Sequence, residues 1–541
     1  MSRAPLYVTT PIYYVNDKPH IGHAYTSLAA DVLARWNRLA GREVYFLTGT
    51  DEHGQKVEKA AQDAGEDPQA FTDRVSQAFR DLTATMGLSN DGFIRTTEPR
   101  HRAACQALWK TLEARGEIYL GAYEGWYAVR DEAFYGPDEL TERDGVKYAP
   151  SGAPVAWVKE PSYFFRLSKW LPELLRRFEL PAGDPERIDI QPETRRNEVR
   201  AFIQQGLKDF ADNPGKLDLS ISRTSFRWGV PVPGDDQHVM YVWMDALTNY
   251  ITALGYPDEG AELWRFWPSG ERLHLVGKDI VRFHTIYWPA FLIAAGLNPP
   301  SRVFAHGWWT NEGQKISKSL GNVIDPVALV AEFGLDPVRY FLLREVPFGQ
   351  DGDFSRGALV NRLNGELADA LGNLANRVLS LIQRNCEGVL PAREGQFDGM
   401  PTEDGALIQH ARVADAEFED ELEKLIQQVE RDLQALRFDL ALSAIFAAVR
   451  AANAYITTTQ PWAMKRISVP RMRFTLRNLH DALRLFATLL QPFMPETMAR
   501  MLDQLGVPAE ARQLADLATP LPGGIALPPP APLFQKIQNP A

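Results

Sequence analysis

From Leu6 to Ile12 the run LYVTTPI is short, apolar and β-branched, the pattern of a buried strand. Beyond it, Leu28, Val32, Trp36 and Leu39 recur at helical spacing, and Gly41 supplies a stop. EVYFLTGTD then reads as a second buried strand. Strand, helix and strand in this order make a βαβ unit with parallel strands. The same texture returns far downstream, where LHLVG predicts a strand, KDIVRFHTIYWPAFLIAAG a helix and SRVFAHGWW another strand. Between residues 117 and 225 the pattern changes to aromatic pieces punctuated by Gly and Pro, such as GAYEGWYAVRDEAFYGPDEL, which predict small hairpins inserted into a doubly wound sheet. After residue 365 strand signals stop and long amphipathic helical segments follow. The tail LPGGIALPPPAPLFQKIQNPA is proline-rich and predicts an extended segment.

Composition narrows the class. The 541 residues are 45% hydrophobic and 23% charged, an ordinary globular balance with material for several cores. No run of 18 apolar residues occurs, and the N-terminal MSRAPLYVTTPIYY lacks the layout of a secretory signal. With only Cys105 and Cys386, reduced thiols and a soluble cytoplasmic protein without a membrane partner are expected. Lys and Arg number 58 against 69 Asp and Glu, a net charge of −11, which argues against a nonspecific nucleic-acid coat. A local basic patch, WAMKRISVPRMRFTLR, carries Lys465, Arg466, Arg471, Arg473 and Arg477 and reads either as a solvated helix face or as a phosphate-binding surface.

Two short motifs carry the chemistry. His20 and His23 follow a predicted strand end and sit where a helix begins. The first N–H groups of a helix lack internal partners and favour anions. Two imidazoles at i and i+3 add donors to the same anion, and Gly22 between them admits close approach. Read alone, such a pair is as readily structural; a metal site would need a third ligand, and no HExxH or Cys-rich partner is present. The second motif, GQKISKS, places Lys315 and Lys318 three apart with Ser317 and Ser319 in a loop after a strand. Neither a Walker loop nor G-x-G-x-x-G occurs.

In this order, HIGH and KISKS resemble the signature pair of the class I aminoacyl-tRNA synthetases. The longer strings TTPIYYVNDKPHIGHAYTSLAADVLARW, LTGTDEHGQK, YVWMDALTNYI, GKDIVRFHTIYWPAFL, GWWTNEGQKISKSLGNVIDP, GNLANRV and PWAMK resemble the bacterial methionyl-tRNA synthetase family over almost the whole chain. The implied fold is α/β: a split Rossmann-like doubly wound parallel sheet with an inserted connective domain and a C-terminal all-α anticodon-binding helix bundle. The implied organisation is 1–116 and 226–320 for the two catalytic halves, 117–225 for the insertion, 321–365 for a stem-contact linker, 366–520 for the anticodon-binding helices and 521–541 for the tail. The implied activity is a methionine–tRNA ligase that uses ATP with Mg²⁺ and charges initiator and elongator tRNA(Met).

The resemblance also implies site residues. His20, Gly22, His23, Lys315, Ser317 and Lys318 match ATP-binding positions, with the two histidines and two lysines catalytic. Asp51 matches the ammonium-binding aspartate. Ile12, Tyr14, Trp243, Ala246, Leu247, Tyr250, Ile280 and His284 match the lining of the methionine side chain. Asn373, Arg377 and Trp462 match anticodon readers, with the basic cluster after Trp462 holding RNA phosphates. The chain departs from the family at the zinc knuckle: where relatives carry two C-x-x-C pairs, it has Ala128, Asp131, Tyr148 and Ser151. No structural zinc is expected. With nothing resembling an appended β-barrel dimerisation module, a monomer is expected.

Overall fold

The computed structural model describes residues 3–15, 18–131, 133–316, 322–393 and 405–537. They form two compact units, one of Met1–Ala30 with Glu43–Gly307 and one of Asp31–Arg42 with Trp308–Ala541.

The first unit is built on a six-stranded sheet: β1 Leu6–Tyr14, β2 Val44–Asp51, β3 Gly92–Arg95, β4 Asp189–Gln191, β5 Glu271–Gly277 and β6 Arg302–His306. Their spatial order is β3-β2-β1-β5-β6-β4, and every neighbouring pair is parallel. The helices used below are α1 Ile21–Leu39, α2 Pro99–Ala114, α3 Val242–Leu247 and α4 Trp288–Ala295. The chain leaves β1 toward β2 and β3, then returns to place β5 on β1's other side. That reversal is the switch point, where the crevice beyond the strands' carboxyl ends holds ligands in such sheets. The sheet is buried on both faces, which explains why its strands read as continuous apolar runs.

Both predicted βαβ units are present, with three departures. The helix expected over 278–296 is one α-helix only from Trp288. Before it lie a 3₁₀ turn, Lys278–Ile280, and a π turn, Phe283–Tyr287. Pro289 has no N–H to give the carbonyl of Thr285, so the wider turn is tolerated there. The strand expected over 301–309 ends at His306. The stretch 117–225 holds more than hairpins. Ile118–Ala128 pairs antiparallel with Ala156–Phe165, two helices follow (Leu167–Glu179 and Glu193–Asp209), and β4 between them joins the edge of the central sheet.

At the knuckle, Ala128 packs with Ala149, Ala153 and Val155 in a small apolar cluster. Asp131 accepts from Tyr135 Oη at 3.0 Å, from Arg130 Nε at 3.2 Å and from Ser151 Oγ. Tyr148 bridges to Pro154.

The second unit has a small sheet of Trp309–Asn311, Gln314–Lys315 and Gly352–Phe354, followed by helices. The main ones are α5 Asn373–Asn385, α6 Phe438–Thr459 and α7 Val469–Leu490, with Gly405–Gln434 beside α6. The segment Phe438–Met464 is apolar and long enough to cross a membrane by composition. In this unit Phe438, Leu442, Ile445, Phe446, Val449 and Ala452 are instead fully buried in the bundle. Two cations of the basic cluster are also buried. Arg471 pairs with Asp415 at 2.5 and 2.7 Å, and Arg477 binds Asp481 and the carbonyls of Pro391 and Leu521. These two arginines hold the bundle together, which corrects their expected place among phosphate contacts. Lys465, Arg466 and Arg473 remain exposed.

Candidate active site and anticodon surface

β1 ends at Tyr14, and α1 starts at Ile21 with His20 immediately before it. The His20 N–H donates to His23 Nδ1 at 3.0 Å, and the Gly22 N–H donates to His20 Nδ1 at 3.1 Å. An Nδ1 that accepts cannot carry the ring proton, so each neutral imidazole holds it on Nε2. Burial lowers both pKa values, and His20 lowers that of His23 further. The pair is therefore neutral at pH 7 and presents two Nε2–H donors. The rings lie 3.9 Å apart between centroids. Gly22 makes this possible, because a Cβ there would meet His20 Cε1 at 3.0 Å.

The pair is braced from below. Tyr13 Oη donates to the His23 carbonyl at 3.1 Å and meets Ser27 Oγ at 2.7 Å, and its ring sits edge-on to His23 at 4.8 Å. Thr26 Oγ1 lies 2.7 Å from His306 Nε2, while His306 Nδ1 donates to the Gly307 carbonyl at 2.7 Å. This ties α1 to the end of β6. Neither brace was legible beforehand, since Tyr13 read only as strand and His306 lies 280 positions from Thr26.

The residues expected around methionine gather at the same end of the sheet. Ile12 and Tyr14 end β1, and Asp51 ends β2 in register with Tyr14. Trp243, Ala246 and Leu247 ride on α3, followed by Tyr250. Tyr250 Oη bonds His284 Nε2 at 2.8 Å, and His284 Nδ1 bonds the Ile280 carbonyl at 3.0 Å. The carbonyl fixes the proton on Nδ1, so Nε2 accepts from the phenol. Burial pushes the His284 pKa down to about 4. Ala246, Leu247, Tyr250 and His284 are buried, whereas Ile12, Tyr14, Trp243 and Ile280 keep surface for a ligand.

Trp243 lies flat on Phe283, 3.8 Å between centroids and 8° between planes. Phe283 belongs to the π turn, so the irregular turn aims both Phe283 and His284. Behind Tyr250, His274 stacks at 4.1 Å and bonds Thr9 Oγ1 at 2.8 Å and Trp288 Nε1 at 3.3 Å. Phe283 and His274 are contributors the sequence reading did not single out.

His101, Cys105 and Asp245 lie close enough to suggest a metal centre. Their contacts are hydrogen bonds: Asp245 Oδ1 to His101 Nε2 is 2.8 Å, and Cys105 Sγ to His101 Nε2 is 3.2 Å. Burial and Asp245 push the Cys105 pKa well up, so in this hydrogen-bonded arrangement it is a thiol.

The second signature lies in the second unit. The Lys315 backbone pairs with Thr310 in the small sheet; Ser317 and Lys318 lie outside the described residues. On the helical bundle, Asn373 and Arg377 stand one turn apart on α5, both exposed. Arg377 places its guanidinium 5.8 Å from the ring centre of Trp462, which is 44% exposed. Gln460, at φ 41°, and Pro461 start the short helix that carries this tryptophan.

The family described as tRNA synthetases class I (M) matches residues 6–379, and the anticodon binding domain of methionyl tRNA ligase matches residues 409–541. The methionine–tRNA ligase of Mesorhizobium japonicum is 51% identical over 541 residues, covering 99% of this chain and 98% of that protein. That of Brucella suis is 50% identical over 538 residues with the same coverage. Among solved structures, Mycobacterium tuberculosis methionyl-tRNA synthetase in complex with methionyl-adenylate superposes with a TM-score of 0.89 at 45% identity, covering 99% of this chain and 100% of that one.

Proposed function

The chain belongs to the class I methionyl-tRNA synthetase family and is a methionine–tRNA ligase, and we propose from that premise which residues carry each step. In the first step the methionine carboxylate attacks the α-phosphorus of ATP, forming methionyl-adenylate as the bond to pyrophosphate breaks. In the second the terminal adenosine of tRNA takes the methionyl group and AMP leaves. Neither step needs a protein nucleophile, so catalysis rests on positioning and on donors aimed at developing charge.

His20 and His23 bind the ATP phosphates through their Nε2–H groups, with Gly22 admitting the nucleotide. Lys315, Ser317 and Lys318 act on the pyrophosphate side. The observation that carries this assignment is that both Nδ1 atoms accept from backbone N–H groups, which puts each ring proton on Nε2. Mg²⁺ enters with ATP. The three-ligand cluster among the described residues contains imidazole and thiol, a donor set unsuited to Mg²⁺.

Asp51 holds the methionine ammonium. Ile12, Tyr14, Trp243 and Ile280 cover the thioether chain, against a floor of Ala246, Leu247, Tyr250 and His284. A largely apolar pocket discriminates only modestly against close isosteres. Asn373, Arg377 and Trp462 read the tRNA(Met) anticodon by stacking and edge hydrogen bonds, supported by their shared exposed face. Lys465, Arg466 and Arg473 contact its phosphates. The knuckle holds without zinc, through its alanine cluster and the Asp131 hydrogen bonds. The domain boundaries at 116, 225, 320, 365 and 520, action as a monomer and a cytoplasmic location complete the reading.

The test is a pair of substitutions at His23, with ATP–pyrophosphate exchange as the readout. Glutamine places an N–H near the position of Nε2, and asparagine places one near Nδ1. His23→Gln should retain far more activity than His23→Asn, and the reverse order would reject the Nε2–H assignment.

A further inference from the structure

Behind the methionine pocket lies a buried polar cluster that the reaction does not use directly. Asp245 sits on α3 with no exposed surface, yet a buried carboxylate is costly unless it is paired. Its Oδ2 meets His53 Nδ1 at 2.7 Å and its Oδ1 meets His101 Nε2 at 2.8 Å. His101, on α2, meets Thr252 Oγ1 at 3.2 Å through its other nitrogen. Thr252 gives its own proton to the Thr248 carbonyl at 2.9 Å. These contacts hold the Asp245 carboxyl well below the ordinary carboxylate range against the opposing effect of burial.

The two arms reach different parts of the pocket. His53 lies two residues after Asp51 on a segment with little freedom. The Glu52 carboxylate is held by Arg95 at 2.7 and 2.9 Å, and the Glu52 carbonyl accepts from Trp228 Nε1 at 2.6 Å. The Gly54 N–H donates to the Trp228 carbonyl at 2.9 Å. Asp245 itself lies between Trp243 and Ala246 on α3. One carboxylate thus spans the strand end that bears Asp51 and the helix that bears the side-chain wall.

We infer that Asp245 is a positioning residue for methionine recognition, locking α3 to the end of β2 through His53 and bracing it against α2 through His101. The inference rests on the pocket assigned above. The distance between the ammonium anchor and the thioether wall is then set by a carboxylate that touches neither. Loss of the clamp then weakens methionine binding selectively and leaves ATP binding alone.

The experiment measures KM for methionine and for ATP, kcat and thermal unfolding in the full chain for Asp245→Asn, His53→Ala and His53→Asn, with Trp243→Ala in parallel. In Asp245→Asn the amide N–H₂ faces an imidazole N–H, so one arm breaks. A misplaced pocket should raise the methionine KM by about tenfold to a hundredfold with the ATP KM nearly constant. His53→Ala should do the same, and His53→Asn, whose amide restores a donor near Nδ1, should recover most of the loss. Parallel changes in both KM values, or a fall in thermal stability with the methionine KM unaltered, would overturn the positioning role. So would an asparagine that fails to rescue while folding as well as the wild type. If Trp243→Ala leaves the methionine KM unchanged, the pocket assignment itself fails; if it raises that KM while the clamp variants do not, only the inference fails.

Discussion

Gly22→Ala separates stability from catalysis in a way that tests the histidine geometry directly. The new Cβ would lie 3.0 Å from His20 Cε1 and 3.2 Å from its Nδ1, closer than a settled contact allows. The helix backbone is the stiffer partner, so the imidazole shifts by a few tenths of an ångström. That movement lengthens the 3.1 Å bond from the Gly22 N–H to Nδ1, which fixes the ring and its tautomer. Removing a donor aimed at developing charge costs on the order of 3 kcal/mol, or roughly a hundredfold in kcat. A displaced donor falls short of that, so a decrease between about tenfold and a hundredfold is expected. Helix propensity runs the other way, because alanine is favoured over glycine by up to about 1 kcal/mol. ATP–pyrophosphate exchange at saturating methionine reads the first effect and thermal unfolding the second. The predicted variant is slower, unchanged in methionine KM, and at least as stable as the parent. Full activity would refute the claim that His20 is held by its contact with Gly22.

Three further outcomes follow from the same structure. His284 has a folded pKa of about 4 against about 6.5 unfolded, so the unfolded chain binds more protons between these values, and stability falls as pH drops through that window. Its share is about 3 kcal/mol, and His284→Gln should flatten the pH profile of thermal unfolding; an unchanged slope would contradict the buried neutral assignment. Trp462→Ala should raise the KM for tRNA roughly tenfold, since stacking one base is worth about 1–3 kcal/mol, while exchange without tRNA stays at the parental rate. Elemental analysis of the purified chain should find no stoichiometric zinc, and chelation followed by restored Mg²⁺ should leave activity intact.

The βαβ halves were legible because strands buried on both faces must be apolar throughout, as VYFLTG and LHLVG are. The histidine pair was legible because its meaning is local: strand end, turn, helix start. Other features depended on facts a linear reading cannot hold. Asp189–Gln191 is too short to announce a strand, yet it closes one edge of the sheet. Arg471 and Arg477 looked like members of a basic surface until the bundle turned them toward Asp415 and Asp481. A burial argument was available there, because Met472, Leu476 and Leu479 mark the inward stripe of the same helix. The Asp245 clamp joins residues 192 and 144 positions apart, which only the folded chain brings together. The π turn was foreshadowed by Pro289 within an otherwise helical pattern, a signal that marks an interruption without saying what it aims.

The most direct test of the account is ATP–pyrophosphate exchange without tRNA, run with each of the twenty amino acids on the full chain. A site built from the Nε2–H donors of His20 and His23 beside an apolar pocket with an acidic anchor predicts exchange with methionine and no comparable rate with any other amino acid. Equal or faster exchange with leucine, isoleucine or cysteine, or none with methionine, would contradict it.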